Sequence, residues 1–200
     1  ANIFFPKKNL FFQGSIHGSA KFANLYHKPA FRSNLEVDTL YVNRQKIGQT
    51  KVISRWNNQD QSIGIGLESK RGKLKTIDMQ GSYWPKNQNI QFTVNLDKLR
   101  MAALNPILKK SFSGFNGALS GKMDVQGTTK KPVFNGRLSA QKVSFTIDYL
   151  QTEYHLTHTL ALSDNQLMFN DVLVNDNQGN TARDGINKAA TITGSLNGNA

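Results

Sequence analysis

The sequence predicts an all-β fold with one short amphipathic helix, and three observations predict it. Apolar and polar residues alternate in run after run, which is the period of a strand with one buried face. Turn signals separate these runs at short, regular spacing. Only 38% of the 200 residues are hydrophobic. A sheet with one apolar and one wet face produces that balance, because only alternate residues need be apolar.

Taken in order, residues 15–22 alternate and read as a strand, and Lys28-Pro29 marks a turn. Residues 35–42 come next, with Leu35 and Val37 in one register and Leu40 and Val42 in the other. The change places a bulge or short turn near Asp38-Thr39. Strands are expected at 51–56, 63–67 and 74–83, separated by the polar turn 57–60 and the basic turn 70–73, with a further turn at 84–87. Ile90, Phe92, Val94 and Leu96 make the cleanest alternation in the chain.

A helix is expected over 97–110. Leu99, Ala103, Leu104, Ile107 and Leu108 recur at helical spacing, Asp97 suits an N-cap, and Asn105-Pro106 would kink or split it. In 114–136, Leu119, Met123 and Val125 share one face and Ser120, Lys122 and Asp124 the other, ahead of a polar turn at 127–132. Strands resume at 133–140, 143–149, 154–162, 166–169, 172–175 and 189–196. The total of about a dozen suits an array in which each hairpin stacks on its neighbour. Residues 1–95 form the first part of the array and 96–200 the second, in one continuous domain.

The charge of +12 is uneven: residues 1–100 hold 16 basic and 6 acidic side chains, a net of +10. Such a bias favours an anionic partner without choosing among them. The absence of cysteine excludes disulfide scaffolds, thiolate zinc sites and cysteine nucleophiles. No run approaches the roughly 20 apolar residues of a membrane-spanning helix. The chain starts at Ala1 and stops inside an expected strand, which reads as a piece of a longer protein.

Chemistry-bearing motifs are sparse. The stretch 66–74 superficially looks like a phosphate-binding loop, but it has one residue too many between its glycines and sits between strands, so a basic hairpin turn is the better reading. His155 and His158 are three apart, which on a strand puts them on opposite faces and denies them a shared metal. Asp171, Asp176 and Asp184 lie near turns but lack the ligand pattern of a calcium loop. The carboxylates are isolated, so no catalytic pair, metal or cofactor is expected. Lys70, Arg71, Lys73 and Lys75 lie near Tyr83 and Trp84 in sequence, yet no nucleic-acid reader motif accompanies them, and nucleic acid is not the expected partner.

The order of features from Leu104 onward is more specific. Leu104-Asn105-Pro106-Ile107-Leu108 leads to Phe112-Ser113-Gly114-Phe115-Asn116-Gly117, then to Leu119-Ser120-Gly121 and Val125-Gln126-Gly127-Thr128. After these come Pro132-Val133-Phe134-Asn135-Gly136-Arg137-Leu138, Asp148-Tyr149-Leu150 and Asn175-Asp176-Asn177-Gln178-Gly179. Over about 96–182 this resembles the TamB family of translocation and assembly module proteins, in its Bacteroidota form, within the wider AsmA-like group. Arg183-Asp184-Gly185-Ile186 departs from the family pattern, which leaves the terminal register open.

The resemblance implies an elongated, curled antiparallel or mixed sheet, taco-like, forming an apolar groove. It implies a periplasmic protein anchored in the inner membrane and no catalysis. The partners it implies are phospholipid or another acyl-chain lipid, an outer-membrane barrel of the BamA/TamA kind, and client outer-membrane proteins. The candidate lipid-binding residues are Ile90, Phe92, Val94, Leu96, Leu119, Met123, Val125, Phe134, Leu138, Val143, Phe145 and Ile147. The same alternation would also build the closed core of a sandwich. The alternative function is a sheet module that binds a client strand or an anionic polymer.

Overall fold

The computed structural model describes residues 11–23, 30–42, 44–104, 112–147, 152–164, 166–168, 175–176 and 194–195. They form a single open antiparallel sheet. Its strands are β1 (Phe12–Gln13), β2 (Ile16–Ala23), β3 (Ala30–Val42), β4 (Gln45–Asn57), β5 (Ser62–Arg71), β6 (Leu74–Trp84) and β7 (Asn89–Arg100). A single 3-10 turn, Met101–Leu104, comes next. Then come β8 (Phe112–Thr128), β9 (Pro132–Ile147), β10 (Thr152–Ser163), β11 (Gln166–Met168), β12 (Asn175–Asp176) and β13 (Gly194–Ser195). From β3 to β11 each strand pairs with the next in sequence, so the ladder is built from successive hairpins. β1 and β2 both pair with β3, and the two ends of the sheet do not meet.

Short polar turns make this meander. Asn57 Oδ1 accepts from the Gln59 amide at 3.0 Å, and Asp60 Oδ1 accepts from both the amide and the hydroxyl of Ser62. Asn87 Oδ1 takes the Asn89 amide at 3.1 Å. Asx side chains mimic a backbone turn in this way. Arg44, Gln61, Gly72 and Gln88 each take a positive φ in the turns between long strands, where the chain reverses within a few residues.

The bulge expected near Asp38-Thr39 is present: Val37 pairs with Thr50, and Leu40 pairs with Gly48. It is one of several. Register also shifts opposite Ser69/Lys70, where β6 carries the extra residue Thr76, between Leu96 and Leu99 in β7, between Ser113 and Ala118 in β8, and opposite Leu156/His158, where β9 carries the extra residue. All fall toward the same end of the sheet, the end that carries the 3-10 turn. A bulge bends its strand and increases local twist. There Ile47 of β4 and Leu99 of β7, separated in the ladder by β5 and β6, belong to one buried cluster with Leu40, Val42, Ile77 and Leu96 around it.

The helix expected over 97–110 is not supported. Asp97 to Arg100 continue β7, and only Met101–Leu104 turn, as one 3-10 turn; residues 105–111 lie outside the described residues. The bulge explains the misreading. An odd spacing normally flips a side chain to the other face, but one extra residue at Asp97-Lys98 returns Leu99 to the face of Leu96. A three-residue apolar spacing therefore imitates a helix. The strand reading wins because Leu99 and Arg100 keep their ladder partners Leu119 and Ala118. The expected break between 133–140 and 143–149 is likewise a bulge within one long strand, where Lys142 takes φ 48°.

Candidate functional site

Register assigns each side chain to a face, because directly opposed residues in an antiparallel ladder point the same way. One face is apolar across nine strands. Along one row from β6, Met79 opposes Val94, Val94 opposes Met123, and Met123 opposes Gly136. In the next row, Ile65 opposes Gly81, Gly81 opposes Phe92, Phe92 opposes Val125, and Val125 opposes Phe134. Leu160 and Leu162 extend the face onto β10.

Eleven of the twelve candidate residues have described side chains, and the register puts all eleven on this face. Val94, Leu119, Val125, Leu138 and Val143 are buried. Ile90, Phe92, Leu96, Met123, Phe134 and Phe145 are half-buried. Ile147 pairs with Phe112 and Thr152 along the backbone, and its side chain lies outside the described residues. The Phe115 and Phe145 rings stack at a centroid distance of 5.9 Å. Sequence reasoning missed the other half of the face: Leu35, Val37, Val52, Ile63, Ile65, Leu67, Ile77 and Met79. The alternation in Ile63-Gly64-Ile65-Gly66-Leu67 carried the signal.

Glycine accommodates the large side chains of this face. An added Cβ at Gly81 would lie 2.5 Å from Phe92 Cδ1 and 2.0 Å from the Gln91 carbonyl oxygen. The Phe92 ring thus occupies the space of the missing side chain, in the manner of aromatic rescue of a strand glycine.

At the 3-10-turn end the face is closed over. Met101 joins Phe115, Leu119, Leu138, Ala140, Val143 and Leu160 in one buried cluster, and the turn also packs against β4. At the opposite side, Ile16 and Phe22 of β2 are more than 60% exposed. Between these limits lies a seam of hydroxyls. Thr50 Oγ1 and Ser69 Oγ are 2.8 Å apart, and Ser33 Oγ donates to Ser54 Oγ at 3.0 Å. Thr50 and Ser69 are essentially inaccessible, so their pairing satisfies groups that water cannot reach.

The other face is polar. Glu68 receives Lys70 Nζ at 2.7 Å and also pairs with Lys75, which reaches Asp78 as well. Hydrogen bonds from Lys70 and then Lys75 hold the Glu68 carboxyl down to about 2. Burial first, and then the charge of Arg100, lowers the Arg71 guanidinium from its usual value. The basic residues 70–75 thus form a partly neutralised hairpin end.

His155 opposes Ser144 and His158 opposes Ala140, which places them on opposite faces. Among the described residues no group of three His, Asp or Glu side chains is placed to hold a metal ion. Asp171 and Asp184 lie outside the described residues; Asp176 pairs with Tyr154 along the backbone. The chain was compared with protein-family models, curated proteins and solved structures, and none matches.

Proposed function

We propose that this chain is a non-enzymatic segment of a TamB-like envelope protein whose sheet curls along its length into an apolar groove. The groove carries phospholipid acyl chains between inner and outer membranes and supports outer-membrane protein assembly. In this reading the protein lies in the periplasm, anchored in the inner membrane, and its far end meets an outer-membrane barrel. The observation that carries the reading is the apolar face itself. It crosses nine strands, the described strands all belong to the one open sheet and so build no second sheet over it, and at one end the 3-10 turn packs on it. Yet Val94 and Val125 are no more than 9% exposed. Shading without a second sheet is what a sheet curled toward its apolar side produces. Each acyl methylene that replaces water against such a wall contributes roughly 0.8 kcal/mol.

Mass spectrometry of protein extracted under native conditions is expected to find co-purifying phospholipid. Phe92→Asp places a charge at mid-face on a half-buried position, where it opposes acyl chains more than folding. It should abolish uptake of a fluorescent phospholipid while the far-UV circular dichroism stays that of the wild type. A lipid-free protein that takes up no lipid would overturn the proposal, and an unfolded variant would indicate a closed core instead.

A second reading rests on the edge. β2 runs for eight residues, all exposed, and it pairs with β3 along one side. Its other side suits addition of a client strand. Photo-crosslinks from Ser19 or Lys21 to a nascent barrel protein, with none to lipid, would favour it.

A further inference from the structure

On the polar face the register sets three cations side by side. Lys21 opposes Arg32 across β2 and β3, and Arg32 opposes Arg55 across β3 and β4. Neighbouring strands lie roughly 4.8 Å apart, and like charges directly opposed destabilise a ladder. Among the described residues no neighbouring carboxylate offsets them. Two positions away on the same face stand Ser19, Ala23, Ala30, Asn34, Ile53 and Asn57. None of the three cations forms an ion pair among the described residues. Four residues along, the same face does the reverse: Glu36 opposes Lys51 and Lys51 opposes Glu68, alternating in sign, with Lys51 Nζ 3.2 Å from Glu36. The chain alternates charge in one row and stacks it in the other.

The stacked row leads into open space. Arg55 opposes Gly64, Gly64 opposes Ser82, Ser82 opposes Gln91, and Gln91 opposes Gln126. A recess of about 290 Å³ lies at Arg55, Gly64 and Ser82, beside the turn residues Asn57 and Asn58. The carboxylate of that turn, Asp60, is engaged by Ser62. A second recess of about 380 Å³ lies at Gln91 and Gln126, with Trp84 on its wall.

We propose that this row is a binding track for an acidic oligosaccharide. Carboxylates or sulfates of the glycan sit on Lys21, Arg32 and Arg55, with the guanidinium forks taking two oxygens at once. Sugar hydroxyls exchange hydrogen bonds with Ser82, Gln91 and Gln126, each able to donate and accept. A sugar ring lies against Trp84, whose indole offers an apolar plate with a polar edge. A nucleic acid fits less well: it needs cations along its whole phosphate path and several aromatic plates for its bases. Beyond Arg55 the track is neutral and holds one indole. The cationic row lies on the face opposite the proposed groove, the Trp84 recess borders the groove at Ile90, and binding there does not depend on lipid carriage.

The test is calorimetric titration of the full chain with a homogeneous oligogalacturonate, its carboxyl-reduced neutral counterpart and a single-stranded oligonucleotide of equal charge. Saturable binding of the acidic sugar is expected, at least tenfold tighter than either control. Arg32→Gln with Arg55→Gln should weaken it tenfold or more while raising the melting temperature, because the repulsion is relieved. Trp84→Ala should weaken it several-fold without changing its salt dependence; if that variant does not fold, the arginine pair decides alone. Oligonucleotide binding as tight as sugar binding, sugar binding indifferent to the arginines, or no binding would each overturn the proposal.

Discussion

Thr50 and Ser69 are polar residues on an apolar face, and they persist there only because each completes the other. Their hydroxyl oxygens are 2.8 Å apart and essentially inaccessible to water. Removing one partner strands the other, whose remaining contacts are long: Gly48 O at 3.3 Å for Thr50 and Gln49 O at 3.5 Å for Ser69. Ser69→Ala should therefore cost about 1–2 kcal/mol. Thr50→Val with Ser69→Ala should cost no more than either single change, because no polar atom is then orphaned. Urea unfolding of the three variants measures the coupling.

Glu68 gives a pH signature at the same scale. Its carboxyl is held at about 2 against an ordinary 4.5 by Lys70 and Lys75, so the folded state favours the ionised form. That contribution is complete above about pH 4.5 and is lost as pH falls toward 2. A wild-type melting temperature above that of Glu68→Gln at pH 6 should converge with it between those values. Salt should narrow the gap, since all three side chains are solvent-accessible.

At the scale of elements, legibility depended on whether a strand keeps its period. β5 and the 77–83 part of β6 are readable because Ile63, Ile65 and Leu67, and then Ile77, Met79 and Tyr83, recur at even spacing, whereas only 51–56 of β4 is, its first residues being interrupted by a register shift. The bulge in β3 was readable too, because Leu35 and Val37 switch register to Leu40 and Val42 within a strand that has no helical alternative. The end of β7 was not. A single bulge at Asp97-Lys98 turns Leu96 and Leu99 into a helical-looking pair, and sequence periodicity cannot tell an inserted residue from a changed period. Lys98 holds that bulge at φ 50°, with its amide donating to Ser120 Oγ at 2.9 Å. A β-branched residue tolerates this left-handed conformation worse than lysine, and glycine tolerates it better. Lys98→Val should be less stable than Lys98→Gly by about 1–2 kcal/mol in chemical denaturation. Equal stabilities would mean that the bulge is not fixed at this residue.

At the scale of the molecule, alternation announces a half-buried sheet but not what lies across from it, so one open sheet and two packed sheets write nearly the same sequence. Connectivity governs how stability is distributed. Each long strand pairs with its chain neighbours, so stability accumulates hairpin by hairpin, as in a repeat array. It is unevenly spread: the main buried cluster draws on β8, β9 and β10 with Met101, whereas every residue of β2 is exposed. Deleting residues 1–29 removes β1 and β2 and, with them, the contact of Phe22 on Phe31 at 4.8 Å. It leaves both buried clusters in place. The shortened chain should fold, with the fluorescence of Trp56 and Trp84 and its urea midpoint close to those of the full chain. In hydrogen exchange of the full chain, amides of β2 should open at low free energy and those of β8 and β9 only near global unfolding. Uniform protection from β2 to β10, or collapse of the shortened chain, would mean that the sheet folds as one cooperative body and not as a stack of hairpins.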